Sequence, residues 1–374
     1  MSINFQLTAV AALLAVSGVS QAALTTTTGP IAFSGSAQVT ATGGQVASAT
    51  NSNNGAAIAN IALSQFNASN GVLTGVNLQL DSNRIQVIDG FGNKNNGPGR
   101  TVSGSGTSNA LLSASGVTAN FAPDLTQAGT GCDLAHGPTG SVSCSWGPNT
   151  ADAVTTDTTV GADEQNLNDY VGAGSVNASL SLPTLSATST MSATMGQPGS
   201  GSNATYTVDW SGTLQADYSY LLHALASFDG SSEINSLALD FGNVAQDSIA
   251  SLNFGLFNLA NADRIGLDLD GVIGSGDTGA FDTGLIAFAD LAQSGSQSFI
   301  ANLLTANTGA FSAQYLLNLS DADLGASSTR GNYQLTLNLT GNVVAAPVPV
   351  PGAIWLFGSA LLGLLGVNRR KQLV

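Results

Sequence analysis

Three aspartates near residue 270 are the first groups in this sequence whose type and spacing suggest a binding site. Asp268 and Asp270 are separated by one leucine, and Asp277 follows shortly after them. Calcium prefers several carboxylate oxygens in a flexible loop, so these three residues are candidate calcium ligands. The segment departs from an EF-hand loop because Val272 stands where that loop needs Asp or Asn. Asp268 and Asp270 also alternate with leucines, and this pattern favours the solvent face of a strand over a metal site. We expect the protein to bind no cofactor.

Two cysteines form the second candidate group. Cys132 and Cys144 enclose a short segment that contains Gly and Pro. In an oxidising compartment, an isolated pair this close favours a Cys132–Cys144 disulfide, worth roughly 3 kcal/mol for a loop of this length. The alternative is a metal site that uses both thiols and His136, which would need a fourth ligand and a reducing compartment.

The sequence lacks the local patterns of common catalytic sites. It contains no Gly-x-Ser-x-Gly elbow, no His-Glu-x-x-His pair and no Gly-rich phosphate loop. Paired carboxylates could hydrolyse a glycan, but nothing in the sequence selects one pair among the many aspartates. His223 lies at a predicted strand end, and we interpret it as structural. We therefore predict that the protein is not an enzyme.

Two tryptophans are candidate platforms for sugar rings. Trp210 shares one face of a predicted strand with Tyr206 and Val208, so we expect it to fill the core. Trp146 lies beside Cys144 and is the one aromatic residue that we would test for ligand contact.

The composition describes a folded, acidic protein with few charges. Its 374 residues suffice for two domains of ordinary size. Only 8% of them are charged, against a usual share of about 25%. The hydrophobic fraction of 43% argues against disorder. The net charge of −15 would repel nucleic acid and anionic membrane surfaces, so we predict no nucleic-acid partner.

Alternating apolar residues between frequent turn signals predict an all-β chain. In the first part, Val76, Leu78 and Leu80 alternate with polar residues after the turn signal Asn70-Gly71. Residues 90–106, which are rich in Gly and Asn, are predicted to form a loop that is too polar to pack.

The second part of the chain has a cleaner pattern, with about seven strands in roughly 110 residues. Alternating apolar residues mark five of them: Leu237, Leu239 and Phe241; Leu252, Phe254 and Leu256; Ile265, Leu267 and Leu269; Phe311, Ala313, Tyr315, Leu317 and Leu319; Tyr333, Leu335, Leu337 and Leu339. We predict two antiparallel β-sandwich domains, residues 24–221 and 232–345, joined by a linker at 222–231. The strand count predicts that the second is immunoglobulin-like.

The N-terminal residues 1–23 have the pattern of a secretory signal peptide. An apolar run extends from Leu7 to Val16, and small residues precede the expected cleavage after Ala22, with Ala23 as the alternative position. The segment before the apolar run contains no Lys or Arg, which departs from the usual pattern.

The C-terminal residues 347–374 combine three segments. They are the proline motif Val348, Pro349, Val350 and Pro351, an apolar run from Gly352 to Val367, and a basic membrane stop of Arg369, Arg370 and Lys371. As a transmembrane helix the apolar run would rise about 24 Å, somewhat short of a hydrocarbon core of about 30 Å. The basic cluster should remain in the cytoplasm, so everything before residue 347 is expected outside it.

This tail resembles the C-terminal sorting signal of the PEP-CTERM/VPLPA-CTERM class of exported bacterial proteins. The matching residues are Val348-Pro349-Val350-Pro351, Trp355-Leu356-Phe357-Gly358-Ser359 and the Arg-Arg-Lys end. The family often has Ala in place of Gly352, and its PEP variant has Glu between the prolines. The tail is therefore closer to the VPLPA-like variant.

The resemblance implies that a membrane-embedded cysteine transpeptidase of the exosortase type recognises the tail and cleaves it near the proline motif. The inner membrane would hold the precursor, and the processed protein would reach the cell surface or extracellular matrix of a Gram-negative bacterium. There it would associate with exopolysaccharide or biofilm. A plain membrane anchor that is never cut is the alternative for the tail.

The first part of the chain resembles the choice-of-anchor family of exported bacterial β-domains. The resemblance rests on Ser64-Gln65-Phe66-Asn67 and on the segment from Asn70 to Leu80, and it covers residues 45–220. The family has no established enzymatic activity that the resemblance could transfer to this chain. We therefore predict a non-enzymatic exported surface or matrix protein. A carbohydrate-binding module that recognises an extracellular glycan is the alternative.

Overall fold

The structure is a computed structural model that describes residues 23–43, 47–150, 154–192, 200–260, 263–346 and 356–362. These residues confirm the prediction of an all-β chain, because strands account for most of them. The strands are β1 (Leu24–Thr27), β2 (Ile31–Gly43), β3 (Ser48–Ser52), β4 (Ala56–Ser64), β5 (Val72–Gly97), β6 (Arg100–Ala114), β7 (Val117–Ala128), β8 (Cys132–Leu134), β9 (Gly137–Thr150), β10 (Val154–Gly161), β11 (Ser175–Leu182), β12 (Leu185–Met191), β13 (Gly201–Leu221), β14 (Ala226–Ser227), β15 (Ser236–Ala245), β16 (Ala250–Asn258), β17 (Leu267–Gly276), β18 (Phe281–Asp282), β19 (Phe288–Leu291), β20 (Ser296–Leu303), β21 (Gly309–Asp321) and β22 (Asn332–Val344). Short 3-10 turns occupy Ala68–Asn70, Glu164–Tyr170, Thr278–Ala280 and Ser327–Thr329.

The chain divides into two compact units. The first consists of Met1–Ala224, Asn261–Gly266 and Asp321–Gly331, and the second of Leu225–Ala260, Leu267–Ser320 and Asn332–Val374. Residues 261–266 and 321–331, which fall inside the predicted second domain, thus belong to the first unit. The predicted linker at 222–231 includes the short strand β14, which pairs with β16.

The first unit contains two sheets whose strands pair antiparallel. One has the order β1-β13-β5-β10, with β2 also on β13 and β9 also on β5. The other has the order β3-β12-β6-β11-β4, with β7 and β8 also on β6. The long strands β5 and β13 pair from Val72 with Leu221 to Asn93 with Gly201. The predicted loop at 90–106 is wrong, because these residues lie largely in β5 and β6.

Aromatic side chains fill the core of the first unit. Trp210 is 1% exposed and meets Phe33 and Phe121 edge-on, each with ring centroids 6.0 Å apart. The Arg84 guanidinium lies 5.8 Å from the centre of the Trp210 ring, within the range of a cation–π interaction. The predicted core position of Trp210 is therefore confirmed.

The second unit also contains two sheets, with the orders β14-β16-β20-β18 and β15-β22-β21-β17-β19. Phe254 and Phe299 stack in its core, with ring centroids 5.5 Å apart. One pair contradicts the antiparallel prediction: β15 runs parallel to β22. Parallel neighbours need a long connection, and the chain between these two strands supplies all the other strands of both sheets except β14.

Both predicted targeting segments fall largely outside the described residues. These are the signal peptide up to Ala22, the proline motif at 348–351 and the basic cluster at 369–371. Residues 356–362 are helical and cover seven positions of the predicted transmembrane run. Within the described part of the chain, no helix has the length and apolar character needed to cross a membrane.

Candidate ligand groove and a histidine–aspartate pair

The two cysteines are joined as predicted. Cys132 on β8 and Cys144 on β9 form a disulfide, and both pack against the small apolar cluster of Val102, Leu134 and Met191. Since both sulfurs are bonded to each other, the alternative metal site with His136 is wrong.

The three calcium candidates are held in separate places. An oxygen of Asp268 accepts a hydrogen bond from the Asp290 backbone N–H at 2.6 Å, and Asp277 accepts one from the Ser312 N–H at 3.0 Å. Asp270 is exposed on β17. In the described ranges, no three His, Cys, Asp or Glu side chains come close enough to share a metal ion.

Trp146 is buried, so the hypothesis that it contacts a ligand at the surface is wrong. It is 4% exposed, and three glycines surround its ring. A Cβ added to Gly90, Gly104 or Gly129 would lie 2.1, 2.8 or 2.0 Å from the ring. No local pattern in the sequence indicates this burial, because the three glycines lie far from Trp146 along the chain.

An open groove of about 590 Å³ lies at one end of the five-stranded sheet in the second unit. Asp240 of β15, Asn342 of β22 and Phe311 of β21 line it, together with Asp277 just after β17. A neighbouring depression of about 440 Å³ shares Asp277 and Phe311 with this groove. Sequence reasoning identified Asp277 but missed the other three residues, because they come from strands far apart in the chain.

Hydrogen bonds hold the polar side chains of the groove in place. One carboxylate oxygen of Asp240 accepts from the Gly242 N–H at 2.9 Å and from the Thr340 hydroxyl at 3.2 Å. The Asn342 amide donates to the Asn243 side-chain oxygen at 2.7 Å. The groove thus offers fixed carboxylates and amides beside a half-buried aromatic ring, a combination that suits polar hydroxylated ligands.

The second unit is acidic apart from the basic cluster at 369–371. Residues 225–260, 267–320 and 332–346 contain no Lys, Arg or His. Their acidic residues are Asp229, Glu233, Asp240, Asp247, Asp268, Asp270, Asp277, Asp282 and Asp290. Such a surface repels anionic ligands and attracts cationic ones.

A second group of polar residues lies in the first unit, around His223. Its Nδ1 is 2.8 Å from Oδ2 of Asp321, and its Nε2 is 3.0 Å from the Ala68 carbonyl oxygen. The Asp321 side chain is fully buried and also accepts from the Ala224 N–H at 2.7 Å and the Gly331 N–H at 2.6 Å. His223 is 29% exposed, and Arg264 donates to its carbonyl oxygen. These contacts join the ends of three separate segments of the first unit, which supports the structural interpretation of His223.

The geometry around His223 favours the imidazolium form. Both ring nitrogens face acceptors, and only the doubly protonated ring can donate from both. The hydrogen bond to Asp321 raises the pKa of His223 above its ordinary value of 6.5, and the Ala68 carbonyl adds to this, whereas burial and Arg264 oppose it. The raised pKa links proton binding to folding.

The first unit should therefore lose stability as the pH rises. Because the folded pKa of His223 exceeds the unfolded one, its contribution is fully present below about pH 6.5 and is lost as the pH passes the folded pKa. Urea denaturation followed by tryptophan fluorescence across this range would measure the loss. His223→Gln should remove this pH dependence, while substitution of the exposed His136 by Gln should retain it. A pH dependence that is the same in all three proteins would contradict the prediction.

No family model matches this chain, and no curated protein sequence matches it. Among solved structures it is similar to the ASH/PapD-like domain 7 of human CEP192, with 11% identity, 33% of this chain and 87% of that chain covered, and a TM-score of 0.23. It is also similar to the VesB protease of Vibrio cholerae, with 14% identity, 35% and 37% covered, and a TM-score of 0.21. The chain spans just over a third of that protease. Both TM-scores are below 0.5, so neither similarity indicates the fold or the function of this protein.

Proposed function

We propose that this chain is a non-enzymatic exported protein that an exosortase-like transpeptidase processes near Pro351. The processed protein is retained at the cell surface or in the extracellular matrix, in association with exopolysaccharide or biofilm material. The observation that carries the proposal is the order of the C-terminal segments: a proline motif, an uncharged apolar run and the basic cluster at 369–371. Retention of that cluster in the cytoplasm leaves the β-rich body on the other side of the membrane.

The disulfide supports export. Cys132–Cys144 links two strands of the first unit, and disulfides persist in oxidising compartments such as the bacterial periplasm. The signal peptide at 1–23 would supply the route to that compartment.

The strand order of the second unit supports its assignment as an immunoglobulin-like sandwich. Immunoglobulin domains have strands A-B-E-D in one sheet and C-F-G in the other. The order β14-β16-β20-β18 corresponds to the first sheet, and β17-β21-β22 to the second, with β15 and β19 added at its edges. The unit departs from the immunoglobulin order because β18, at the D position, precedes β19, the strand beside C.

Intact-mass measurement and cell fractionation in the native host test the export proposal. The protein should begin at Ala23 or Leu24, lack the segment after the proline motif and accumulate outside the inner membrane. In a strain without the sorting enzyme it should keep its tail and stay in the inner membrane. Replacing Pro349 and Pro351 by Ala should have the same effect, whereas Pro30→Ala in the exposed first loop should be processed normally.

A full-length tail in the inner membrane of the enzyme-containing strain would overturn the sorting proposal. It would favour the uncut anchor. Loss of the tail in both strains would equally contradict a dedicated sorting enzyme.

We propose carbohydrate binding as the second candidate function. The groove at the end of the five-stranded sheet favours it, because Asp240, Asp277 and Asn342 line it together with Phe311. Polar groups that fix orientation beside an apolar surface are typical of small-ligand sites.

A further inference from the structure

A strip of polar side chains runs along the outer face of the five-stranded sheet, on strands β21 and β22. The polar cross-strand pairs of this polar strip are Ser312 with Thr340, Gln314 with Asn338, and Asn318 with Gln334; Thr336 and Asn342 also belong to it and lie opposite the apolar Leu316 and Ala310. Leu317 and Leu337, which lie between them, are buried in the core of the unit. At about 3.4 Å per residue the strip is roughly 27 Å long.

The amides of the polar strip are held by hydrogen bonds across the strands. Gln314 donates to Asn338 and Gln334 donates to Asn318, each at 3.0 Å. A primary amide has two N–H donors and a carbonyl that accepts twice. Each donating glutamine amide therefore keeps one N–H and its carbonyl oxygen for a ligand, in a fixed orientation.

An open depression lies at each end of the polar strip. The groove described above, with Asp240 and Asp277, adjoins the Ser312 and Thr340 end. A depression of about 490 Å³ that includes Asp270, Asn318 and Gln334 lies at the other. Carboxylates thus stand at both ends of a neutral row of amides and hydroxyls.

We infer that the polar strip and its two end depressions bind an extended glycan that carries free amino groups. The amides and hydroxyls pair with sugar hydroxyls, and the carboxylates of Asp240, Asp277 and Asp270 attract the ammonium groups. The absence of Lys, Arg and His from residues 225–260, 267–320 and 332–346 makes this part of the unit complementary to a cationic chain and repulsive to an anionic one. This inference rests on the second of the two functions proposed above.

Calorimetric titration of the purified, processed protein with three oligosaccharides tests the inference. A hexasaccharide of glucosamine should bind about tenfold more tightly than the fully N-acetylated hexasaccharide, because only the first is cationic. An oligogalacturonate of similar length should not bind, and raising the salt concentration should weaken binding of the glucosamine chain. Equal affinity for the free and acetylated chains, or binding of neither, would overturn the inference.

Variants locate the site. Replacing both Gln314 and Asn338 by Ala should weaken binding about tenfold, and Asp277→Asn should reduce the preference for the free amine. The matched controls are Asn253→Ala, an exposed amide on β16 of the other sheet, and Asp229→Asn, which removes one charge from the loop after β14. Unchanged binding in the double variant, or an equal loss in Asn253→Ala, would contradict the assignment to the polar strip.

A protein that is exported and processed but binds none of the three chains would refute this inference while leaving the export proposal intact.

Discussion

Asp321→Ala is expected to destabilise the first unit by about 2–5 kcal/mol, because the buried Asp321 carboxylate accepts hydrogen bonds from three donors. Its oxygens accept from the backbone N–H groups of Ala224 and Gly331, at 2.7 and 2.6 Å. Each buried donor left without an acceptor costs about 1–3 kcal/mol. His223 also loses its partner but adds less, since it is 29% exposed and can release its proton.

Denaturation at neutral pH, followed by tryptophan fluorescence, measures the effect. Two of the three tryptophans, Trp146 and Trp210, belong to the first unit and the third, Trp355, to the C-terminal tail, so the signal of the first two reports on the unfolding of the first unit. The matched control is Asp323→Ala. Asp323 lies two residues away and pairs with Arg330, but its side chain is 90% exposed, and exposed ion pairs contribute about 0–1 kcal/mol. Similar losses of stability in the two variants would show that the buried contacts of Asp321 contribute little.

Trp146→Ala is expected to cost about 3–5 kcal/mol, the usual range for removing a buried aromatic ring. The ring is 4% exposed and fills the space left by Gly90, Gly104 and Gly129. Phe91→Ala is the control: Phe91 pairs with Ser145, next to Trp146, but it is 39% exposed, so the loss should stay below about 1 kcal/mol.

A double-mutant cycle with Gly129 tests the packing directly. A Cβ at Gly129 would lie 2.0 Å from the Trp146 ring, and the three atoms nearest to it all belong to that ring. Gly129→Ala should therefore destabilise the native protein by about 1–3 kcal/mol and should be nearly neutral once Trp146 is Ala. Additive losses would mean that the ring is not what excludes a side chain at Gly129.

Local patterns predicted the all-β fold and the strands with the clearest alternation. Leu317, Leu319, Leu335 and Leu337 are buried, while the residues between them face outward, as a period of two requires. The Cys132–Cys144 disulfide was also predictable, because the two residues are close in sequence and the pair is isolated. The sorting signal at 347–374 rests on the sequence alone and remains a prediction.

The predicted loop at 90–106 was wrong for a physical reason. Strand pairing uses backbone N–H and C=O groups, which Gly and Asn supply as well as apolar residues do. Gly90, Gly92 and Gly104 lie in strands, and neighbouring side chains occupy the space that a side chain at these positions would need. Trp146 does so at Gly90, and Val102 does so at Gly92. No short window of sequence contains that information.

Only the tertiary structure decided the two candidate sites. His223 and Asp321 are 98 residues apart in sequence, and the groove brings Asp240 together with Asp277, Phe311 and Asn342. The sequence alone determined which residues alternate and therefore which side chains of a strand share a face. It did not determine which strands are neighbours or in what register, because these depend on long-range ladders such as the parallel pair of β15 and β22.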